Sequence, residues 1–584
     1  MCRAYRRAAS STPSGSDPEY GVPRAAWTFH IIDGSTMRTR ITLDITGMTC
    51  DGCERHVGDA LGSAGLTEVN VDWRRGTATG IDTGAFDPAR AAGALAGSAY
   101  TIMSAPSPEE TPAEPAGADG AEYDLLILGS GSAAFAAAIK ARDLGASVAI
   151  VERGTIGGTC VNIGCVPSKA LLRPAEWYHR AGHSPFAGVS TTADDVDMAA
   201  LVGAKDELVG ALRRHKYADL LDLYGIALIR GTARFTGPAV VEVDGRPVTA
   251  NRYLIATGAS PWVPPIEGLD DTGFLTSTTA LELTGVPGEL IVVGANAIGL
   301  ELGQLFAHLG ARITWVEALD RIAPFEEPEI SALMHAHLEN EGAAVHTGAT
   351  AHRAGRDGDR VWLDIKVDGQ TKRVVADRIL MATGRRANTA RLGLEAAGVA
   401  VDARGAVVVD AGLSTTNPSV WAAGDVTGNP QFVYVAAASG NIAAGNALGA
   451  PGRELDLRTM PRVTFTTPSI ASVGLTEQEA RDAGHATATS LLPLDAVPRA
   501  LVDRDTTGAV KLVADESSGE LLGVHVMAAG AGDVIQAAVV AMNYHATIDE
   551  IAAMFHPYLT MAEALKLAAQ TFDRDVSTLS CCAS

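Results

Sequence analysis

Two stretches of the chain repeat one pattern of apolar and polar positions. A short continuous apolar run leads into a glycine-rich turn. A long stretch of helical spacing follows, then a second apolar run that ends in an acid. In the first copy, Tyr123 to Leu128 leads into Gly129-Ser130-Gly131-Ser132-Ala133-Ala134, an Ala-rich helix and the run Ser147 to Glu152. In the second, Leu290 to Val293 leads into Gly294-Ala295-Asn296-Ala297-Ile298-Gly299, a helix to Leu309 and the run Arg312 to Glu317. Short apolar runs of this kind suit strands covered on both faces. Strand, glycine turn, helix and strand in this order make a dinucleotide-binding unit, and two copies predict two such domains.

The segment before them reads differently. Arg38 to Thr46 alternates like a half-buried strand, and a Cys-x-x-Cys loop and a short helix around Glu54 to Leu61 follow. Glu68 to Trp73, a turn at Arg75-Gly76, a third strand, a helix near Pro88 to Leu95 and a strand near Tyr100 complete a βαββαβ order, the ferredoxin-like split. Residues 105–121, rich in Pro, Ala and acids, read as a solvated linker. Residues 1–37 show no periodicity and are expected to be a disordered extension or the product of an upstream start. The expected organisation is therefore 38–104 as a small metal-binding domain and 122–266 and 267–391 as the two dinucleotide domains. Residues 392–458 are expected to return to the first of these, and 459–584 to form a mixed α+β domain.

Composition narrows the function. The length of 584 residues suits roughly four domains. A net charge of −22 disfavours nonspecific binding to phosphate backbones. No apolar run is long enough for a membrane span. Arg3, Arg6 and Arg7 are followed by no apolar segment, so no secretory signal is read and a cytoplasmic location is expected. Seven cysteines are present, and six form the close pairs Cys50/Cys53, Cys160/Cys165 and Cys581/Cys582. Close pairs in a large chain read as redox or soft-metal sites rather than as a disulfide framework. Cys2 has no partner pattern.

The turns carry their own chemistry. Gly129 permits the tight turn, Gly131 lets backbone approach a pyrophosphate, Ala134 allows close helix packing, and Glu152 is placed to bond a ribose hydroxyl. In the second turn Gly294 and Gly299 keep the end positions and Asn296 takes the middle one, where its tolerance of unusual backbone angles is expected to preserve the turn. Glu317 points to the free 2′-hydroxyl of NADH, with Arg312 and Arg321 close in sequence to oppose that preference.

Between the units lies Gly157-Gly158-Thr159-Cys160-Val161-Asn162-Ile163-Gly164-Cys165-Val166-Pro167-Ser168-Lys169. Physically, two cysteines on the first turn of one helix can meet as a dithiol, and the helix N-terminus favours thiolate. The segment closely resembles the redox site of the flavin-dependent pyridine nucleotide-disulfide oxidoreductases. Ala256-Thr257-Gly258, Ala382-Thr383-Gly384 and Ala423-Gly424-Asp425 resemble further marks of that family, in order, over about residues 122–584. The resemblance implies FAD held by Gly158, Thr159, Gly258, Gly384 and Asp425 besides the first turn, and NADPH, with NADH as the alternative, at the second. It implies Cys165 against the flavin, Cys160 as the exchanging thiol, Lys169 near flavin N5 paired with Glu301, and a dimerisation domain at the end of the chain.

Three features resemble the mercuric ion reductases within that family. One is the terminal Cys581-Cys582, a carrier for a soft cation that large thioredoxin reductases also resemble. Another is His556-Pro557-Tyr558-Leu559-Thr560-Met561-Ala562-Glu563. Disulfide reductases place a Glu five residues after the His, but here Met561 stands there, so the acid–base dyad reads as broken. Tyr558, and Tyr217 in Arg213-Arg214-His215-Lys216-Tyr217, resemble tyrosines that line the metal site. The last is Gly47-Met48-Thr49-Cys50-Asp51-Gly52-Cys53, which resembles heavy-metal-associated domains, for which copper is the competing cargo. The implied function is reduction of thiolate-bound Hg(II) to Hg(0) by a homodimer whose site is shared between chains. The alternative is a flavin disulfide reductase of the thioredoxin reductase kind.

Overall fold

The structure, a computed structural model, describes residues 121–576 continuously and, before them, the elements of 29–102 named next. The chain divides into two compact units, residues 1–113 and 114–584.

In the first unit, strands Thr36–Thr46, Leu66–Asp72, Thr77–Asp82 and Thr101–Ile102 form one antiparallel sheet with the order last–first–third–second. That is the order of the ferredoxin-like split. Leu43 and Ile45, two apart on the first of these strands, are buried against Val57 and Leu61, four apart on the helix Asp51–Ser63. The strand Phe29–Asp33 pairs with Thr36–Arg40. It lies inside the stretch expected to lack structure. Its Phe-His-Ile-Ile run is followed by Gly34-Ser35, a dipeptide that two-residue hairpins favour.

The second unit contains two parallel sheets of one plan. The first has the order Val420–Ala422, Ala250–Ile255, Tyr123–Leu128, Val148–Glu152, Ala227–Arg230. The second has the order Leu275–Thr276, Arg378–Met381, Glu289–Val293, Arg312–Val316, Ala344–His346. Each is joined by a three-stranded antiparallel meander, 233–248 in one and 350–376 in the other. The strand Val420–Ala422 thus comes back to the first sheet after the whole second one has been formed.

Small residues explain the Ala-rich helix Ser132–Asp143. Ala134, Ala137, Ala138 and Ala141 are fully buried, and a Cβ on Gly440 of the helix Val433–Ala447 would stand 2.0 Å from Ala133 O. The two helices touch backbone to backbone. The last domain is a five-stranded antiparallel sheet, Arg462–Thr464, Ser469–Gly474, Leu521–Ala528, Ala509–Asp515, Thr487–Pro493, covered by helices Ala531–Asn543 and Glu563–Gln570. It is tied to the second dinucleotide domain by a buried ion cluster: Lys511 Nζ lies 2.9–3.0 Å from Glu327, Glu329 and Glu477.

Candidate active site

The two redox cysteines sit on two helices rather than on the first turn of one. Helix Gly158–Ile163 carries Cys160, Gly164 interrupts with φ −130° and ψ −110°, and Cys165 opens helix Cys165–Gly182. A Cβ on Gly164 would press to 3.0 Å from Thr159 O, so the close turn needs glycine. Both thiols are free. A hydrogen bond from the Cys160 thiol, helped by the Lys169 ammonium, brings Cys165 down to about 7. Donating that hydrogen bond, with burial, pushes Cys160 up. Near neutral pH Cys165 therefore passes from thiol to thiolate while Cys160 keeps its proton.

Lys169 lies one turn further along the same helix. Its Nζ is 2.7 Å from Glu301 Oε2 and 4.4 Å from the centre of the Phe465 ring. Glu301, 6% exposed on helix Ala297–His308, accepts a second bond from the Phe465 amide at 3.0 Å. The cation is therefore fixed by groups from all three domains. Tyr217 lies in a π-helical turn, Arg214–Ala218, a form common at functional sites. Its ring stands edge-on to Phe135, with centroids 4.9 Å apart. Burial raises its phenol, a hydrogen bond with Ser132 opposes this, and the charges of Cys160 and Cys165 add to the rise. The hydroxyl is thus protonated and within electrostatic reach of the pair. Arg213 donates to Asn162 at 3.1 Å and ties this helix to the cysteine turn.

The first glycine turn is built on close approach. Gly129 has φ +108°, and a Cβ there would lie 2.4 Å from Ala256 O. Gly158 has φ +67°, and its Cβ would lie 2.5 Å from Gly131 Cα, so the turn and the cysteine segment, which continues with Thr159, meet at two glycines. Glu152 holds the turn from outside, accepting from Ser130 Oγ at 2.5 Å and Gly154 N at 2.6 Å.

The second turn has the same frame: Gly294 has φ +99°, with a Cβ that would lie 2.4 Å from Ala382 O, and a Cβ on Gly299 would meet Gly294 O at 1.9 Å. Asn296 caps the helix with an ordinary extended φ of −100°, as Gly131 does at −79°, so the middle position demands no unusual angle. Glu317, 7% exposed, accepts from Ala295 N at 2.7 Å and Leu319 N at 2.9 Å. Its carboxylate closes the turn. Arg312 is engaged by Glu289, and Arg321 donates to Pro324 O at 2.9 Å.

The two Ala-Thr-Gly turns are crossed over each other. Thr257 Oγ1 donates to Asn388 O at 2.9 Å, Thr383 Oγ1 donates to Trp262 O at 2.7 Å, and the strands Ala259–Pro261 and Arg385–Ala387 pair. Gly258 and Gly384 have φ of +68° and +104° and would present a Cβ to open space. Burial holds the Asp425 carboxyl above its usual range, against the pull of Arg385. Neither the helix at Gly131 nor the one at Asn296 has a side-chain cap, which leaves N-terminal amides for a pyrophosphate at each. This donor set, with Asp425, fits FAD at the first turn and a nicotinamide dinucleotide at the second.

Three residues around the site were not read from the sequence: Arg385, which is buried and feels the charge of Cys165, Tyr434, which feels it too, and Phe465, which stacks on Lys169. The Tyr434 hydroxyl donates to Pro461 O and is pushed up to about 12 by burial, with the Cys165 charge adding to the rise. Arg385 directly follows the second Ala-Thr-Gly turn, the one local signal available for it.

In the last domain Tyr558 is 63% exposed and Phe555 fully so. Glu563 is 7% exposed, with Oε2 buried and without a hydrogen bond. Burial raises its carboxyl, while Lys566 and His556 pull the other way. His556 Nδ1 donates to Met554 O at 3.3 Å, and no hydrogen bond or ion pair joins it to Glu563 among the described residues. Cys50, Cys581 and Cys582, and the side chain of Cys53, lie outside the described residues.

Residues 123–440 match the pyridine nucleotide-disulphide oxidoreductase family and residues 460–569 match its dimerisation domain. The chain belongs to this family. Among curated relatives, it is 53% identical to the mercuric reductase of Streptomyces lividans over 79% of this chain and 98% of that protein. It is 47% identical to the mercuric reductase of Bacillus cereus, over 96% and 90%. Among solved structures it is similar to the HOCl-induced flavoprotein disulfide reductase RclA from Escherichia coli. That likeness has a TM-score of 0.69 and 31% identity, and covers 77% of this chain and 99% of RclA.

Proposed function

We infer that the chain is a mercuric ion reductase, reducing thiolate-bound Hg(II) to Hg(0) with NAD(P)H through FAD and the Cys160–Cys165 pair. The observation that carries this is a dithiol with one thiol poised to ionise near neutral pH, Cys165 at about 7, beside the fixed Lys169–Glu301 pair. The likeness to mercuric reductases along nearly their whole length supports the choice of substrate.

FAD, when bound, carries the hydride equivalents of NAD(P)H to the thiol site. The chain's own residues bind and orient the metal. Hg(II) arrives on two small thiolates, and the Cys165 thiolate displaces the first. Cys160 displaces the second and gives its proton to the departing thiolate. Tyr217 stands at the pair with a protonated hydroxyl. Overall one hydride and one proton convert Hg(SR)2 to Hg(0) and two thiols, and neutral Hg(0) leaves because thiolates hold the cation, not the atom. Cys50 and Cys53 collect Hg(II), and Cys581 and Cys582 deliver it to the partner subunit's site, where Tyr558 joins the lining. The exposed run Met554, Phe555 and Tyr558 on the dimerisation domain supports a covering partner. Among the described residues no helix is long and apolar enough to cross a membrane. The need for NAD(P)H places the enzyme in the cytoplasm.

The test is oxidation of NADPH, then of NADH, by the FAD-loaded protein on adding HgCl2 with excess small thiol, with mercury vapour trapped. Hg-dependent oxidation with volatile mercury is the expected result. Turnover of a disulfide without mercury would favour the flavin disulfide reductase reading.

A further inference from the structure

Fourteen residues beyond Cys165, near the end of the same helix, a group of imidazoles surrounds one carboxylate. Glu341 Oε1 lies 3.7 Å from His179 Nε2, 3.8 Å from His308 Nε2 and 3.4 Å from His337 Nε2. The His179 ring stacks on His308 at 4.3 Å and on His183 at 4.3 Å. His308 is 5% exposed, and its Nε2 has no hydrogen-bond partner. A buried imidazole nitrogen without a partner calls for an explanation.

Two ordinary accounts fail. Imidazolium–carboxylate pairing would close these distances to about 2.8 Å. Core packing alone would not aim an unpaired nitrogen of His308 at a carboxylate whose side chain is 22% exposed. Ligand atoms at about 2.0–2.2 Å from a tetrahedral cation lie roughly 3.3–3.5 Å from one another. The ligand atoms of His179, His308 and Glu341 all lie within 4.8 Å of one another, so a closure of at most about 1.5 Å forms the polyhedron.

We propose that His179, His308 and Glu341 bind one borderline divalent cation of the zinc class, clamping the helix of Cys165 to the second dinucleotide domain. The surroundings suit that task. His337 Nε2 donates to Thr467 O at 2.8 Å and is therefore an outer-shell group rather than a ligand. Gln304, 1% exposed, donates to Thr467 O at 2.7 Å, accepts from Thr467 N at 2.6 Å and reaches Glu341 Oε2 at 3.5 Å. It fixes the carboxylate's position against the last domain, the role of second-shell groups in metal sites. Two nitrogens and one oxygen leave the fourth position for water, and a cavity of about 380 Å³ bordered by His308, Gln304 and Lys169 supplies it. Imidazole and carboxylate donors suit zinc, whereas a mercuric ion prefers the thiolates elsewhere in the chain.

The test is equilibrium dialysis of the FAD-loaded full chain, thiols reduced, against Zn(II) alone, with melting temperature read in parallel. His308→Gln and Glu341→Gln keep every cysteine, so any difference belongs to this site. Each is expected to bind one zinc fewer per chain and to lose the zinc-induced rise in melting temperature. His179→Ala, whose side chain is 26% exposed, replaces His308→Gln if that variant fails to retain FAD. Zinc-soaked crystals of the parent should show an anomalous peak between the three side chains. Unchanged zinc stoichiometry and melting response in FAD-retaining variants, or zinc only at cysteines in the anomalous map, overturns the proposal.

Discussion

At the scale of single residues, the chemistry depends on which thiol keeps the proton. The largest influence on Cys165 is the hydrogen bond from Cys160; burial opposes it, and the Lys169 charge adds to the lowering. Alkylation of Cys165 in the reduced enzyme should therefore rise with pH around a midpoint of about 7. Cys160→Ala removes the donor and should move that midpoint upward, towards the ordinary thiol value, by more than Cys160→Ser, which keeps a hydroxyl donor. Rates of iodoacetamide labelling against pH check this, and a midpoint unmoved in Cys160→Ala would contradict it. A second residue-scale case is Gly158, where positive φ and the 2.5 Å approach to Gly131 coincide. Gly158→Ala should cost at least ~2 kcal/mol of local strain and yield protein that has lost FAD, visible as loss of yellow colour with the fold retained by circular dichroism.

At the scale of elements, the strand–turn–helix–strand units were legible because every link in them is local. Continuous apolar runs, a glycine where φ must be positive, and alanines where helices touch all lie within thirty residues. What sequence could not show is what distant elements bring. Phe465 reaches Lys169, and Tyr434 the surroundings of the thiolate, from other parts of the chain with no motif of their own. Spacing also misled once. Cys160 and Cys165 were assigned to one helix, but Gly164 divides it. Glu317, chosen as a ribose acceptor, already binds two backbone amides that hold its own turn. If that inward role dominates, Glu317→Ala should lower the melting temperature and weaken NADPH and NADH together, rather than change their ratio; steady-state KM values for both cofactors decide it.

At the scale of the whole molecule, the domains are held by few, well-placed polar clusters. Lys511, 2% exposed, neutralises carboxylates from two other segments. Lys511→Met leaves the buried Glu327 without a counter-charge, and breaking such a cluster from one side costs about 3–5 kcal/mol. Chemical denaturation should show that loss, and removing Glu327 as well should recover part of it. The fully exposed Phe555 belongs to the same scale, since an aromatic ring in water on a dimerisation domain implies a covering surface. Phe555→Asp should shift the enzyme from dimer to monomer in sedimentation and abolish mercury-dependent NADPH oxidation while leaving FAD bound.

The return of Val420–Ala422 to the first sheet sets a timetable for synthesis. Tyr123–Leu128 emerges from the ribosome about three hundred residues before the strand that will border Ala250–Ile255. At about 5–20 residues per second that interval is roughly 15–60 s. Throughout it, one edge of the first sheet waits uncovered, and before it ends the second dinucleotide domain, whose strands lie between residues 275 and 381, is complete in sequence and free to fold. The cofactor-binding order follows from this: the nicotinamide site can be finished on the nascent chain, and the flavin site only after residue 425 has been made.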